Sequence, residues 1–166
     1  MQIVLKSGRE IMIRLLQNTD TQKLFNYLSS LSAETKSRFG PHPFDLETVE
    51  YICNNPDDVM RYVAVDNATN NIIAYMLFKR GMIEWDEKRY RERNQHYDSN
   101  TTVTYAPSVD DSWQSSGLGS LMYQQMEQEL KSKHIQHIIL WGGVQANNER
   151  AVNFYKKFGY QLMGSF

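Results

Sequence analysis

This chain is poor in several things, and each scarcity excludes something. One cysteine, Cys53, stands among 166 residues, so no disulfide can close within the chain and a reducing compartment is its natural setting. Charge of either sign is nearly balanced, 18 Lys and Arg against 19 Asp and Glu, which leaves no overall basic field of the kind that draws nucleic acid or an anionic membrane. The longest apolar run, residues 72–78, is far too short to span a bilayer, and the first nine residues hold no apolar signal core. The expectation is a cytoplasmic protein with neither nucleic acid nor membrane as partner. Cysteine and histidine nowhere cluster at metal-ligand spacing, and there is no Gly-x-Ser-x-Gly nucleophile elbow. No metal and no covalent serine intermediate are therefore expected. The length suits a single domain over residues 1–166 with one full-sized core.

What is present centres on Trp113-Gln114-Ser115-Ser116-Gly117-Leu118-Gly119-Ser120. Before it, residues 101–105 are β-branched and aromatic; after it, Leu118, Met122, Met126 and Leu130 recur at helical spacing. The order is strand, small-residue turn, helix. Such a turn aims successive backbone N–H groups at one spot, where the helix macrodipole adds roughly half a positive charge. That is an anion site, most simply for a phosphate or pyrophosphate. Two known glycine loops do not fit. A P-loop requires Gly-Lys-Ser/Thr, and a dinucleotide fingerprint requires a third glycine where Met122 stands.

The rest of the chain reads in order as follows. Val4-Leu5 and residues 11–16 predict a hairpin, with Ile11, Ile13 and Leu15 on one face. Thr19 or Asp20 is placed to cap a helix to about Leu31 with Leu24, Tyr27, Leu28 and Leu31 as its stripe. Pro41 and Pro43 force a loop around His42. Asp45 is placed to cap a second helix carrying Leu46, Val49, Ile52 and Cys53, ended by Asn54-Asn55-Pro56. Residues 61–66 and 72–79 flank a turn-rich pentad and predict an antiparallel hairpin. Residues 81–100 mix both charge signs and fit a short exposed helix or a hairpin arm, in either case a solvated surface. A strand over 101–109, the turn, and a helix to about Lys131 follow. Ile135 to Trp141 predicts a buried strand ended by Gly142-Gly143, and a last helix over about 148–158 has Gly159 just past its end, before a strand at 160–166.

Gln114-Ser115-Ser116-Gly117-Leu118-Gly119 fits Gln/Arg-x-x-Gly-x-Gly/Ala, the pyrophosphate signature of the GNAT superfamily of acyl-CoA-dependent N-acetyltransferases. Asn148, Ala151, Tyr155, Gly159 and Tyr160 resemble the last segment of the same superfamily. The resemblance covers most of the chain. It implies an α/β fold with a mixed, mostly antiparallel central sheet flanked by helices, and a splayed parallel strand pair at the cofactor cleft. The family's last edge strand has no counterpart before Phe166; truncation, donation by a partner chain and family variation all fit that gap.

The implied function is transfer of an acetyl group from acetyl-CoA to a primary amine of a small molecule or peptide, by direct transfer in a ternary complex. A non-catalytic acyl-CoA sensor or interaction module is the alternative. Acetyl-CoA is the implied co-substrate, an amine acceptor the implied partner, and a homodimer an open expectation. By the resemblance, Ser108 and Val109 flank the pantetheine arm, and Gln114, Ser115, Ser116, Gly117, Leu118, Gly119 and Ser120 bind the pyrophosphate. Asn148 would hydrogen-bond the cofactor, unless it is only a helix cap. Pro107 lacks an N–H, so a donor to the thioester carbonyl must come from Ser108 or Val109. Tyr155 corresponds to the general acid for the departing thiolate, a phenol with pKa near 10, and otherwise reads as a core neighbour of Phe154. No motif assigns the general base. Glu84, His96 and Tyr105 lie on or near strands flanking the cleft, and Phe39, His42 and Phe44 lie in the loop that would overlie the acceptor. Arg150, Lys156 and Lys157 could meet the nucleotide phosphate, although lysines in a last helical turn usually complement the dipole.

Overall fold

The computed structural model describes residues 1–55 and 58–165; Pro56, expected to help end the second helix, lies outside them. Strands β1 (Gln2–Val4), β2 (Glu10–Leu15), β3 (Val59–Asp66), β4 (Ile72–Arg80), β5 (Thr102–Val109) and β6 (His137–Leu140) form one sheet in chain order. Every neighbouring pair is antiparallel except β5 and β6, which run parallel. The helices are α1 (Thr21–Ser30), α2 (Ala33–Ser37), α3 (Leu46–Asn54), α4 (Glu84–Arg91), α5 (Leu118–Ser132) and α6 (Glu149–Lys157).

The period-two alternation of the strands divides the core between two faces. Leu118, Met122, Met126 and Leu130 of α5 and Tyr155 of α6 pack against Ile11, Ile13, Met76, Phe78 and Tyr105. On the other face Leu24, Tyr27 and Leu28 of α1 and Val49, Ile52 and Cys53 of α3 pack against Val63, Tyr75, Leu77 and Ala106. This is the mixed α/β architecture, mostly antiparallel with one parallel pair, that the resemblance implied.

Local chemistry explains several departures. Asp20 does not cap α1 with its side chain. Its buried carboxylate accepts from both Nη atoms of Arg14, at 2.5 and 2.8 Å, and from the Gln17 amide, so an ion pair outcompetes the cap. Asp45 does cap α3, accepting from the Thr48 amide at 2.8 Å. Leu15 shares the parity of Ile11 and Ile13 but is exposed at the strand's end.

The strand expected over 135–141 is only His137–Leu140, and within it only Ile139 is buried. The reason is position: β6 is an edge strand. The strand expected at 160–166 does not form over 160–165; Phe166 lies outside the described residues. Arg93 donates instead to the Met163 and Ser165 carbonyls at 2.7 and 2.9 Å, so a side chain satisfies the tail where a ladder was anticipated.

Candidate active site

The site starts where the β5–β6 ladder stops. Thr102 to Tyr105 pair with His137 to Leu140, and the Trp141 amide gives the last bond, 2.9 Å to the Tyr105 carbonyl. Beyond that point β6 has no residue paired with β5. A strand residue turns its N–H and C=O to the same edge, and the edge alternates along the chain. Tyr105 faces β6, so Pro107 and Val109 face the gap, while Thr104, Ala106 and Ser108 face β4. Pro107 therefore has its missing N–H on the unladdered edge, where proline is tolerated. The gap presents the Pro107 carbonyl and the Val109 amide.

Ser108 departs from its expected place at the gap. Its buried hydroxyl donates to the Tyr75 carbonyl at 3.2 Å and accepts from Tyr27 Oη at 3.0 Å. Of the two neighbours considered for the missing donor, Val109 is the one whose amide faces the gap.

At the end of β5 the chain makes a short 3₁₀ turn over Asp111–Trp113 and enters the glycine-bearing turn. Ser115 has φ +60° and Gly117 φ +87°, both left-handed. Only glycine takes that second angle without strain. Ser116 Oγ donates to the Trp113 carbonyl at 2.6 Å and accepts from the Leu118 amide at 3.3 Å. The Leu121 amide bonds back to the Gly117 carbonyl, opening α5. The amides of Gly117, Gly119 and Ser120 have no acceptor among the described residues, and they stand at the positive end of a fifteen-residue helix.

Gly119 is helical, so its backbone does not need glycine. A Cβ there would lie 3.8 Å from Phe154 Cε2 and 3.8 Å from Val109 Cγ2. The end of β5, the turn and α6 thus converge on this residue, and its missing side chain leaves space between them. Gln114, read as the first residue of the phosphate signature, turns its amide inward. Its Nε2 donates to the Val109 carbonyl at 3.2 Å and lies 3.3 Å from Thr35 Oγ1 and from Asp111 Oδ1.

Asp111 and α2 complete one wall, and no sequence signal pointed to either. The Asp111 carboxylate accepts from the Ser32 amide and hydroxyl and from Thr35 Oγ1, at 2.9, 2.9 and 2.6 Å. Desolvation pushes this carboxyl up, but the bonds from Thr35 and Ser32 and the Arg150 charge outweigh it and hold it below its usual range. From the other end of α2, the Ser37 carbonyl accepts from Gln145 Nε2 at 3.1 Å. The helix is thereby tied both to the β5 exit and to the segment after β6.

Tyr155 lies on the opposite face, nearly buried, with its ring 6.5 Å from Tyr105, 5.2 Å from Phe154 and 5.1 Å from Tyr160. Its hydroxyl makes no hydrogen bond among the described residues. Burial, with a smaller contribution from Tyr123, raises its pKa, so the phenol keeps its proton at neutral pH. Asn148 is the cap of α6, its Oδ1 accepting from the Ala151 amide at 3.2 Å; Nδ2 is left as a donor.

The weaker candidates separate. Tyr105 is 1% exposed, is stacked on Phe78 at 4.7 Å, and is held protonated by burial. Its ring belongs to the core, and its hydroxyl is buried with no partner among the described residues. Glu84 and His96 are exposed. Phe39, His42 and Phe44 do come together, with centroids 5.6 to 6.4 Å apart, beside Tyr75. His42 Nδ1 lies 2.7 Å from the Pro43 carbonyl, which can only accept, so Nδ1 carries the proton. Nε2 is buried with a free lone pair and no partner among the described residues. Burial lowers the pKa of this ring, which is neutral at pH 7.

Sequence reasoning missed Asp86, which lies within the charge-rich segment read as solvated surface. It is 3% exposed and accepts from the Gly142 amide at 2.8 Å. Among the described residues there is no group of three or more His, Cys, Asp or Glu able to hold a metal, and no helix long and apolar enough to cross a membrane.

A mixed α/β sheet whose one parallel pair parts beside a strand–turn–helix with unclaimed amides carries an anion-binding turn at its open edge. Residues 25–160 match the family model of the Acetyltransferase (GNAT) family. The chain belongs to that family, whose general reaction is acetyl-CoA-dependent N-acetylation, and it is an acyltransferase by class.

Solved structures agree on the fold. The GNAT domain of S. lividans PAT is 17% identical with a TM-score of 0.78, over 100% of this chain and 90% of that one. The ribosomal-protein-S5-alanine acetyltransferase of Vibrio fischeri is 13% identical with a TM-score of 0.72, over 99% and 85%. The aminoglycoside acetyltransferase meta-AAC0020, from an uncultured soil metagenomic sample, is 16% identical with a TM-score of 0.64, over 94% of each. No curated protein sequence matches this chain.

Proposed function

We propose that residues 1–166 act as one N-acetyltransferase domain that moves an acetyl group from acetyl-CoA to a primary amine of a small molecule or peptide, directly within a ternary complex. The observation that carries this reading is the coincidence of three unclaimed amides, those of Gly117, Gly119 and Ser120, with the end of the β5–β6 ladder. A pyrophosphate fits there because the donors are preorganised, the helix end is positive and the absent Gly119 side chain leaves room.

The pantetheine arm would lie against the Pro107 carbonyl and the Val109 amide as an added strand lies against a sheet edge. Gln114, Ser115, Ser116 and Leu118 shape the turn, and Asn148 offers its Nδ2. Acetyl-CoA supplies an activated acyl group. Attack by an amine displaces a thiolate that needs a proton, and Tyr155 is protonated on that flank. The amine must lose a proton as well, since an alkylammonium with pKa about 10.4 is not a nucleophile at pH 7. On the wall of Phe39, His42 and Phe44, the Nε2 lone pair of His42 is the acceptor for it. Structural neighbours named for an aminoglycoside and for a ribosomal-protein alanine set the first acceptors to screen.

The test is thermal stability with acetyl-CoA, desulfo-CoA and ADP, followed by amine-dependent thiol release. A ligand held only by the native state at 100 times its Kd adds about 2.7 kcal/mol. A clear rise in midpoint with acetyl-CoA and little with ADP supports the reading. No rise at saturating acetyl-CoA overturns it.

A further inference from the structure

Asp86 breaks the pattern of its own helix. In α4 its neighbour Trp85 is 70% exposed and Glu84, Lys88 and Arg91 are exposed, yet Asp86 is 3% exposed. A carboxylate so far from water is retained only where partners replace its hydration. One oxygen, Oδ2, accepts from the Gly142 backbone amide at 2.8 Å, and the other, Oδ1, accepts from Arg89 Nη1 at 3.1 Å. A favourable charge for the N-terminus of α4 does not account for the burial, because Glu84 and Glu87 already supply that charge in the first turn.

The Gly142 amide is the first one after β6 parts from β5. Trp141 donates to the Tyr105 carbonyl, so by the alternation of a strand the next amide points to the outer edge, and Asp86 takes it there. The chain then turns at once. The Gly143 amide returns to the Leu140 carbonyl at 3.0 Å, with φ +68° at Gly142 and +78° at Gly143. A β6 that ran on would lay its next residues opposite Pro107 and Val109 and fill the gap with its own ladder. The carboxylate grips the strand from outside at the residue where the alternative begins.

We infer that Asp86 is a positioning residue of the acyl-donor gap: by holding the Gly142 amide on the outer edge of β6, it fixes the turn that keeps the Pro107–Val109 edge of β5 free for the pantetheine arm. This rests on the proposal above that acetyl-CoA occupies that gap. It assigns no contact between Asp86 and acetyl-CoA. The donor side of the site is thus built partly by α4, an element outside the phosphate turn and the helix of Tyr155.

The test compares wild type with Asp86→Ala and Asp86→Asn. The readouts are acetyl-CoA affinity by calorimetry, the ligand-free thermal midpoint, and hydrogen exchange of the Gly142 amide by NMR. Asparagine keeps an oxygen that accepts from Gly142; alanine does not. The expected result is a Kd for acetyl-CoA raised at least tenfold in Asp86→Ala and within about threefold of wild type in Asp86→Asn. KM for acetyl-CoA should rise with kcat little changed, and Gly142 exchange should speed up only in Asp86→Ala.

An Asp86→Ala protein that folds and binds acetyl-CoA as wild type does overturns the inference, as does slow Gly142 exchange without the carboxylate. If Asp86→Ala does not fold, Asp86→Glu, whose carboxylate sits one methylene further out, carries the same readouts. A raised Kd with a preserved midpoint supports the inference, and an unchanged Kd overturns it. Wild-type protein that fails to bind acetyl-CoA at all sinks the proposed function instead, while the exchange measurement still reports on the clamp.

Discussion

Strand β5 has two edges that differ in one respect. Toward β4 it is paired over seven residues, from Val103 to Val109. Toward β6 it is paired over four, from Thr102 to Tyr105. The laddered edge is structure; on the other, the ladder stops two residues before Pro107 and leaves backbone groups of the same strand unclaimed. The candidate site is the continuation of the sheet that this chain does not make. Its parts are the devices that stop the ladder: Pro107, the turn at Gly142-Gly143, and Asp86 behind it.

The largest expected effect separates an enzyme from a binding module on the free edge. Tyr155→Phe removes one oxygen from a buried ring and leaves its packing against Phe154 and Tyr160 in place. If the phenol protonates the departing thiolate, kcat falls by about 10²- to 10⁴-fold while acetyl-CoA affinity stays within about threefold. Unchanged turnover removes Tyr155 from the chemistry. A wild-type protein that binds acetyl-CoA and shows no turnover with any amine leaves only the sensor reading.

Next come the two glycines of the turn, which differ in kind. Gly119→Val adds bulk in the space that Phe154 and Val109 border at 3.8 Å, with no backbone penalty. The expectation is acetyl-CoA affinity reduced about tenfold or more at a midpoint near wild type, since valine is no worse a helix former than the glycine it replaces. Gly117→Ala acts the other way. Nothing lies within 4 Å of the new Cβ, but φ is +87°, and a non-glycine residue in the left-handed region costs about 1–2 kcal/mol. The midpoint should fall, with a smaller loss of affinity through distortion of the turn. Calorimetry and thermal melts on the pair read both quantities, and equal behaviour of the two variants would mean that space at Gly119 is not what the ligand uses.

The difference between the two edges also marks how much was legible in the chain. The turn over 114–120 and the helices on either side follow from residues adjacent in sequence, because glycine dihedrals, caps and a 3.6-residue stripe are local properties. The inward turn of Gln114 depends on Thr35, the burial of Asp86 on Gly142, and the order of the Asp111 cluster on Ser32. Each of these is a contact between distant segments. A carboxylate amid charges of both signs reads as solvated unless its partner is known, so Asp86 passed as surface. Tyr105 shows the opposite case: its place on β5 was legible, while its burial depends on strand parity, which turns it toward Phe78 and the core. The strand expected at 160–166 does not form over 160–165, and the hold of Arg93 on Met163 and Ser165 was not legible, since arginine at an exposed loop has no pattern that names its acceptor.

The smallest expected effect probes the aromatic cluster of Phe39, His42 and Phe44 beside Tyr75. The His42 ring is neutral in the folded protein because burial lowers its pKa below 6.5, with the Arg61 charge adding to that; the Pro43 carbonyl and Asp45 oppose it without prevailing. In the unfolded chain the ring titrates near 6.5. A group whose folded pKa is depressed binds fewer protons folded than unfolded across the window between the two values, so stability there rises with pH. The contribution is fully present above 6.5 and is lost as pH falls through the folded value. Thermal melts from pH 7.5 to 5.5 should show a falling midpoint, and His42→Gln, which cannot titrate, should flatten that slope. If His42 also takes the proton of the amine, the acidic limb of kcat/KM in wild type lies below 6.5 and disappears in the same variant. A stability slope that flattens while the activity limb stays would leave His42 a buried ring of the acceptor wall and move the base to another group.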